Sequence, residues 1–434
     1  MKTRKILLAT TALCMAAGTA AADIVLSGDA EMGVAASKDN SVRFHTDVNV
    51  KFTMTGTTDA GVEFGTNVDL NDIEDPGATS SNGSNDTTND DDNHGGIAVH
   101  MSDPDGFGTL TLGDTDGGYD WAMIEVGSGG IRDDSEHGAW NGNGGLDGKH
   151  DGQILRWDRD IAAGFAFGAS VELHDHKDNA PSNDPILGFG GTYSMGMGAG
   201  TLALGGGVQM GSFLHTIEGG LTAAQRAAEA DKPVIWGTAT PTPVGTVVGT
   251  SPPESVTKGR TVEGREVEGM IVGGSAKMDF GGDGGGISVT LNGSVMVADG
   301  SHTTPRAAPA TGNRTATADV EKTHLGLGLG YTVGGISLGL NVGSMVTESR
   351  VDPDNAATSN TDLVMIDETV TGVGLDVAYD LGGGATLKFG VGSHETEYDY
   401  TYQPANDPRS GSTAAGHDYS SDANKWSLGV AFAF

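Results

Sequence analysis

Apolar and polar side chains alternate along most of this chain in short segments. Residues 43–55 show the pattern most clearly, because Phe44 and Phe52 fall on one face of an extended chain while Arg43 and Lys51 fall on the other. Neighbouring side chains of a strand point to opposite faces. A period of two therefore predicts a strand with one apolar and one wet face.

The chain ends on such a segment, residues 425–434. Trp426, Leu428 and Phe434 share one parity, and small residues such as Ser427 occupy the other. Small residues provide no ordinary core on the second face, so the segment is not a fully buried strand of a sandwich. We expect its apolar face to meet lipid.

Sixteen segments have this alternating character, and the connections between them are short and long in turn. The segments are 24–34, 43–55, 61–70, 95–102, 107–114, 152–159, 164–174, 186–195, 200–210, 267–280, 286–298, 322–333, 336–347, 369–380, 385–397 and 425–434. The short connections are rich in Gly, Asp and Pro, which is turn chemistry. The long, mostly polar connections are 35–42, 71–94, 115–151, 175–185, 211–266, 299–321, 348–368 and 398–424.

These patterns predict an all-β fold, a transmembrane antiparallel up-and-down β-barrel of about 16 strands. Strands of such a barrel need roughly 9 to 11 residues to cross the hydrocarbon, with apolar side chains outside and polar or small ones inside. The short turns are expected at the periplasmic rim and the long loops at the outer rim. Because unpaired strand edges cannot be satisfied in lipid, the first strand is expected to pair with the last.

The first 22 residues have the character of a secretory signal peptide. Lys2, Arg4 and Lys5 precede a short apolar run, and small residues lead up to Ala22, where we expect cleavage. The single cysteine, Cys14, would leave with this segment, so no disulfide is expected in the single barrel domain, 23–434.

Charge and composition exclude several classes of protein. The formal net charge is −34, and loss of the three bases of the signal peptide would leave −37, which argues against a nucleic-acid partner. No later run reaches the roughly 18 apolar residues of a transmembrane helix. With 71 glycines and 6% aromatic residues, the chain is also poorly suited to a soluble core of this length.

Four alternatives compete with a sixteen-stranded channel. A large secreted sandwich or solenoid could use the same alternation. An extra hairpin within 211–266 would give eighteen strands and favour a substrate-specific channel, and a closed lumen would favour a structural or adhesion barrel. An enzyme is disfavoured, because His45, His174 and His324 fall on the inner parity and the chain has no G-x-S-x-G or H-E-x-x-H motif.

Several segments resemble the trimeric general diffusion porins of alphaproteobacterial (Rhodobacter-type) outer membranes. They are LSGDAEMGV, FTMTGTTDAGVEFG, GFGTLTLGDTDGGYD, YDLGGGATL and the terminal Phe434. The resemblance implies a Gram-negative outer-membrane location, a homotrimer that packs through its first strands, and contact with outer-membrane lipid and lipopolysaccharide. It also implies that Phe434 is an assembly signal for the barrel-assembly machinery.

The same resemblance implies that the third long loop, 115–151, folds into the lumen and constricts it. Its candidate constriction residues are acidic: Asp116, Asp120, Glu125, Asp133, Asp134 and Glu136. Bases of inner parity, Arg43, Lys51 and Arg156, are expected to face the loop from the wall. Opposed charges across a narrow channel would order water and disfavour apolar solutes. Each base could instead be solvated or paired with a neighbouring acid.

Acids outnumber bases on the inner parity of the strands. They are Asp29, Glu31, Asp47, Glu63, Asp69 and Glu172. The resemblance implies a water-filled channel for passive diffusion of small hydrophilic solutes and ions, and the excess of acids predicts a weak preference for cations. No cofactor is required by this function.

Asp90, Asp91 and Asp92 in the second loop form a candidate calcium site, because clustered carboxylates supply the oxygen ligands that Ca²⁺ prefers. Their spacing fits no defined calcium motif. A solvated acidic loop is the competing interpretation.

Overall fold

The computed structural model describes thirteen stretches of the chain. They are 23–37, 40–70, 96–127, 145–150, 153–173, 184–215, 218–219, 260–261, 265–282, 285–305, 313–352, 363–403 and 415–434. The predicted signal peptide and its cleavage site lie outside these stretches, so they stay predictions.

Eighteen strands account for most of the described chain. The first nine are β1 (Asp23–Ser37), β2 (Asn40–Thr57), β3 (Glu63–Leu70), β4 (Ile97–Asp103), β5 (Gly108–Gly113), β6 (Ile154–Ala162), β7 (Phe165–Glu172), β8 (Ile186–Met197) and β9 (Gly200–His215). The others are β10 (Glu218–Gly219), β11 (Arg260–Thr261), β12 (Arg265–Gly282), β13 (Gly285–Pro305), β14 (Asn313–Val333), β15 (Ile336–Asp352), β16 (Leu363–Gly382), β17 (Ala385–Gln403) and β18 (Ala415–Ala433).

Sixteen of these strands form one closed antiparallel barrel, as predicted. Each strand pairs with its neighbour in the chain, β9 pairs with β12, and β1 closes the ring against β18 from Asp29↔Ala433 to Ser37↔Lys425. The short strands β10 and β11 pair only with each other. The eighteen-stranded alternative is therefore wrong, because the extra pair within 211–266 does not enter the barrel.

The two faces of the wall differ as the alternation predicts. On β14, Leu325, Leu327 and Leu329 point outward and are exposed, and the residues between them are glycines of the inner face. A strand buried on both faces could not leave a row of leucines uncovered. The exposed apolar band is the surface predicted to meet lipid.

The wall is much taller on one side than on the other. Strands β3 to β7 have 6 to 9 residues, whereas β12 to β18 have 17 to 21. Three of the predicted long loops, 299–321, 348–368 and 398–424, were therefore wrong in their bounds, since much of each is strand.

The outward face of the tall wall changes from apolar to acidic near its upper end. Outward carboxylates stand directly opposite one another on adjacent strands, as in Glu268↔Asp299, Asp299↔Asp319 and Glu348↔Asp367. Both faces meet water above the apolar band, so the apolar periodicity that predicts a strand is absent there. This explains why the sequence pattern predicted these strands too short at their upper ends.

Part of the inner face is apolar, which the simple alternation did not predict. Tyr119, Met123 and Leu146 of the third loop pack against apolar side chains of the barrel wall. The wall members are Ile186, Phe213, Val267, Ile271, Met296, Ala298, Ala318 and Val320. The barrel thus contains a core between its wall and its third loop.

The only helical turn in the described chain is a 3-10 helix at Asp120–Ala122, within the third loop. No helix among those residues is long and apolar enough to cross a membrane.

The terminal residue belongs to the strand pairing that closes the barrel. The Phe434 N–H donates to the Gly28 carbonyl oxygen at 2.8 Å, while its side chain is 80% exposed and stacks on Phe432 with ring centroids 6.4 Å apart. The aromatic ring therefore adds little to packing within the subunit.

We predict that deleting Phe434 lowers the yield of folded barrel in the outer membrane. Phe434→Tyr, which keeps an aromatic ring and the backbone pair, is the matched control and should assemble normally. The measurement is the fraction of membrane protein that shows the compact, heat-modifiable electrophoretic mobility of a folded barrel. Normal assembly of the deletion variant would exclude Phe434 as an assembly signal.

Candidate functional site

The first arm of the third loop, residues 114–127, lies along the inner face of the barrel. The Gly118 N–H donates to Ser170 Oγ on β7 at 2.8 Å, and the Ile124 N–H donates to Ser275 Oγ on β12 at 2.8 Å. Farther along, Asn341 Nδ2 on β15 donates to the Gly127 carbonyl oxygen at 3.5 Å. Because β7 and β15 occupy the seventh and thirteenth of the sixteen places in the ring, this arm follows the wall around a large part of the lumen.

The returning arm is tied to the first arm and to β9. The Gly117 N–H donates to Asp147 Oδ2 at 2.7 Å, so the two arms are joined at the base of the loop. Gln209 is fully buried, accepts from the Leu146 N–H at 2.6 Å and donates through Nε2 to Asp147. Removing Gln209 would leave the Leu146 N–H without its acceptor and would take one hydrogen-bond donor from the Asp147 carboxylate.

Glu172 on β7 holds the end of the loop rather than lining the channel. Its carboxylate accepts the N–H groups of Gly148 at 3.1 Å and His150 at 3.0 Å, and only 1% of the residue is exposed. Counting Glu172 among the acids that attract ions was therefore wrong. Parity shows which face a side chain occupies, but it cannot show that the loop covers that face.

Three of the six predicted constriction acids lie in the described part of the loop. Asp116 and Glu125 are exposed, and Asp120 is partly buried in the 3-10 helix. Asp133, Asp134 and Glu136 fall outside the described residues. The predicted constriction around them stays a prediction.

Burial and neighbouring carboxylates make Asp120 the most perturbed acid of the loop. Loss of hydration, followed by repulsion from Asp116, Asp147 and Glu125, raises the pKa of Asp120 to about 7. Burial also raises the pKa of Asp147, although hydrogen bonds from Gly117 and Gln209 oppose this rise. Asp120 is therefore a carboxyl group whose charge changes near neutral pH.

Arg156 lies on the inner face of β6, the face that its parity predicts, and it binds the base of the loop. Its Nη1 donates to the Asp116 carbonyl oxygen at 2.8 Å, its Nε donates to Asp158 Oδ1 at 3.1 Å, and its guanidinium lies 5.9 Å from the ring centroid of Trp121. The reason is topological. Arg156 is on β6, the strand into which the loop returns, so it starts beside the loop.

Arg43 and Lys51 do lie on the opposite side, because β2 and β12 occupy the second and tenth places in the ring. Lys51 Nζ is 3.1 Å from Asp69 Oδ2, with both side chains partly exposed. Of the two interpretations open for this base, the structure shows pairing with an acid, although the partner is on β3. Arg43 is exposed at the upper part of the same face.

A third base on this side, Lys388, was missed as a site residue. Its Nζ lies 2.9 Å from Glu31 Oε1, and His45 Nε2 lies 3.8 Å from the other carboxylate oxygen of Glu31. The sequence places Lys388 on the inner face, but it joins Glu31 only because β17, β18 and β1 become neighbours when the barrel closes. Pairing of the first and last strands was the signal from which this contact could have been found.

The family match decides the identity of this barrel. The chain matches the family described as Gram-negative porin over residues 9–434. The chain belongs to the Gram-negative porin family. The resemblance found in the sequence is thereby confirmed at the level of the family. The porin is an outer-membrane channel, and its outward apolar band lies in the lipid.

Solved structures similar to this porin are distant in sequence. A porin refined at 1.8 Å is 21% identical, with a TM-score of 0.48 over 95% of this chain and all of that one. The trimer form of OmpT from Vibrio cholerae is 12% identical (TM-score 0.49, 95% of this chain and 99% of that one). An anion-selective porin from Comamonas acidovorans is 13% identical (TM-score 0.45, 95% and 100%).

At these scores the three structures carry no argument about the ions, solutes or assembly of this porin. Among curated protein sequences, no relative matches it.

Candidate metal ligands are not assembled in the part of the porin that the structure describes. No group of three or more His, Cys, Asp or Glu side chains there is placed to hold a metal ion. Asp90, Asp91 and Asp92 lie outside that part, so the calcium site stays a prediction.

We predict that cation preference of this porin rises with pH around neutrality. A raised pKa means that Asp120 is protonated and neutral below about pH 7 and gains a negative charge as the pH rises through that value. The zero-current potential in a potassium chloride gradient should therefore shift toward the equilibrium potential of potassium as the pH is raised from 6 to 8. This range covers roughly one unit on either side of the pKa of Asp120.

Asp120→Asn should abolish this step, because an amide does not titrate in this range. Asp69→Asn is the control, since Asp69 lies on the wall and not in the loop. It should keep the step at a lower overall cation preference. A pH profile unchanged by Asp120→Asn would assign the titration to another group.

Proposed function

We propose that this porin is a general diffusion channel for small hydrophilic solutes and ions, with a weak preference for cations. A barrel of sixteen strands encloses an aqueous lumen. The observation that carries the proposal is the excess of acids on the inner face of the described strands. The acids include Asp29, Glu31, Asp47, Glu63, Asp69, Asp158, Asp160, Asp279, Glu368, Asp376 and Asp380, against Arg43, Lys51, Arg156, Lys277, Lys322, Lys388 and Lys425.

The preference should be weak because bases of the wall are paired with acids. Three close ion pairs leave little net charge in their own surroundings. They are Lys51 with Asp69, Lys388 with Glu31, and Lys277 with Asp279. Such pairs bind and orient water, which favours polar solutes over apolar ones. The remaining acids supply the net attraction for cations.

The third loop is proposed to narrow the channel. Its described arms are fixed to the wall between β7 and β15, so the open lumen lies between the loop and the inner faces of β17, β18, β1, β2 and β3. Arg43, Lys51 and Lys388 are then the bases that face the acidic loop. Acid and base on opposite sides would give the channel a transverse field.

We predict large, stepwise and poorly selective single-channel conductance in planar bilayers. In a salt gradient the zero-current potential should show a small cation preference. Strong anion selectivity would exclude the charge assignment. Small steps that one solute blocks at low concentration would identify a substrate-specific channel instead.

A matched pair of variants tests the contribution of the wall. Lys51→Gln leaves Asp69 unpaired and should increase the cation preference, whereas Asp69→Asn leaves Lys51 unpaired and should decrease it. The two side chains share one site, so opposite shifts of the zero-current potential report charge rather than shape. Equal shifts in the same direction would contradict the proposal.

We further propose that the working unit is a homotrimer that packs through the low wall. A strand of 6 to 9 residues is at or below the length of roughly 9 to 11 that crosses the hydrocarbon. The low wall next to β2 also exposes apolar side chains such as Phe64, Val99 and Met101. A second copy that covered this side would remove the mismatch with lipid.

The remaining partners follow from the location in the outer membrane. The upper apolar band and the acids above it would face outer-leaflet lipid and lipopolysaccharide, and the barrel-assembly machinery would insert the chain. No cofactor has a role in this function, and calcium would be bound only by the acidic loops.

A further inference from the structure

Seven inner-face positions of the wall that face the first arm of the third loop have no side chain. They are glycines on five strands of the ring: Gly168 on β7, Gly188 and Gly190 on β8, Gly205 and Gly207 on β9, Gly273 on β12 and Gly326 on β14. We call this set the glycine track. Its members follow the same path as the loop from β7 to β14.

At Gly190 and Gly205 the loop occupies the space that a side chain would need. A Cβ atom at Gly190 would overlap the Gly118 carbonyl oxygen and lie 2.5 Å from Ala122 Cβ. At Gly205 it would overlap the Ala122 carbonyl oxygen. The atoms displaced at Gly190 belong to the loop alone, so a side chain there would disturb the loop before it disturbed the sheet.

The contact is reciprocal at the start of the arm. Gly118 of the loop faces the track, and a Cβ atom there would lie 3.0 Å from the carbonyl oxygens of both Gly168 and Gly188. Ser170 accepts the Gly118 N–H beside this contact, and Ser275 accepts the Ile124 N–H farther along. Glycine thus permits the backbone of the loop to lie against the backbone of the wall, and hydrogen bonds to Ser170 and Ser275 hold the loop there.

We propose that the glycine track determines how far the third loop projects into the lumen, and thereby sets the solute size limit of this channel. This inference rests on the proposed role of the loop as the constriction. A loop held directly against the backbone of the wall takes the least possible width from the channel. A side chain in the track would lift the loop away from the wall and therefore toward the lumen.

The sequence pattern does not distinguish among the inner glycines, because each is simply a small residue of the inner face. The structure separates those beneath the loop from those that face open space. Gly196, on β8 and on the same inner face as Gly190, has no atom within 4 Å of its Cβ position.

The first test compares Gly190→Val with Gly196→Val, the same substitution on the same face of one strand. Gly190→Val should lower the single-channel conductance by roughly a fifth to a third, because conductance follows the free cross-section of the pore. Gly196→Val should leave conductance unchanged. In proteoliposome swelling, uptake of a trisaccharide should fall more than uptake of a pentose in the Gly190 variant.

The change in the ratio of the two uptake rates separates a narrowed channel from a smaller number of folded channels, which would slow both sugars equally. If Gly190→Val does not fold, Gly190→Ala provides the same comparison with one methyl group. A folded Gly190 variant with the conductance and sugar ratio of the unmodified porin would overturn the inference.

A double-mutant cycle tests whether the effect acts through the loop. The three atoms nearest to a Cβ at Gly168 all belong to the Trp121 ring, the closest at 2.8 and 2.9 Å. Gly168→Val should therefore narrow the channel when Trp121 is present and should have little effect in a Trp121→Ala background. Equal effects in both backgrounds would show that the substitution acts on the wall and not on the loop.

The unmodified porin distinguishes this inference from the function on which it rests. If it conducts and swells liposomes but the glycine variants match it, only the glycine track is wrong. If it does not conduct, the general diffusion proposal is wrong, whatever the variants do.

Discussion

Backbone hydrogen bonding in a medium without water is the constraint on which this structure depends. Each N–H and C=O group in the lipid must find a partner within the protein, and a sheet achieves this only when its edges meet. Here the edges meet between β1 and β18, and the pairing continues to the terminal residue, where Phe434 exchanges backbone hydrogen bonds with Gly28. Closure also brings Lys388 of β17 to Glu31 of β1.

A closed wall that is apolar outside leaves its interior available for other purposes. In this porin the interior is divided. One side holds a core of apolar side chains, buried serines and Gln209 that fix the third loop, and the other side carries exposed and paired charges. The loop therefore behaves as part of the wall in its described arms. Its stability comes from packing against the wall and from backbone N–H groups that donate to Ser170, Ser275 and Gln209.

Two features set the electrostatics of the lumen: ion pairs along the wall and a surplus of acids over bases. Wall ion pairs such as Lys51 with Asp69 are partly exposed, so each stabilises the fold by little, on the order of 1 kcal/mol or less. Their larger effect is on the water and ions between them. Asp120 is different, because its surroundings are acidic and partly desolvated. These surroundings raise the pKa of its carboxyl group to about 7.

The sequence by itself determined the barrel, its sixteen strands, the pairing of the first strand with the last and the outward face of each segment. It could do so because a period of two and a turn are local properties. It made β13 to β18 too short at their upper ends, because above the lipid both faces of these strands are wet. It placed Arg156 and Glu172 on the correct face, but it could not show that the third loop binds both of them. Only the tertiary structure decided these contacts, together with the pairing of Lys388 and the positions of the glycines under the loop. Such contacts join residues far apart in the chain, and no local pattern records which of the many inner-face residues the loop covers.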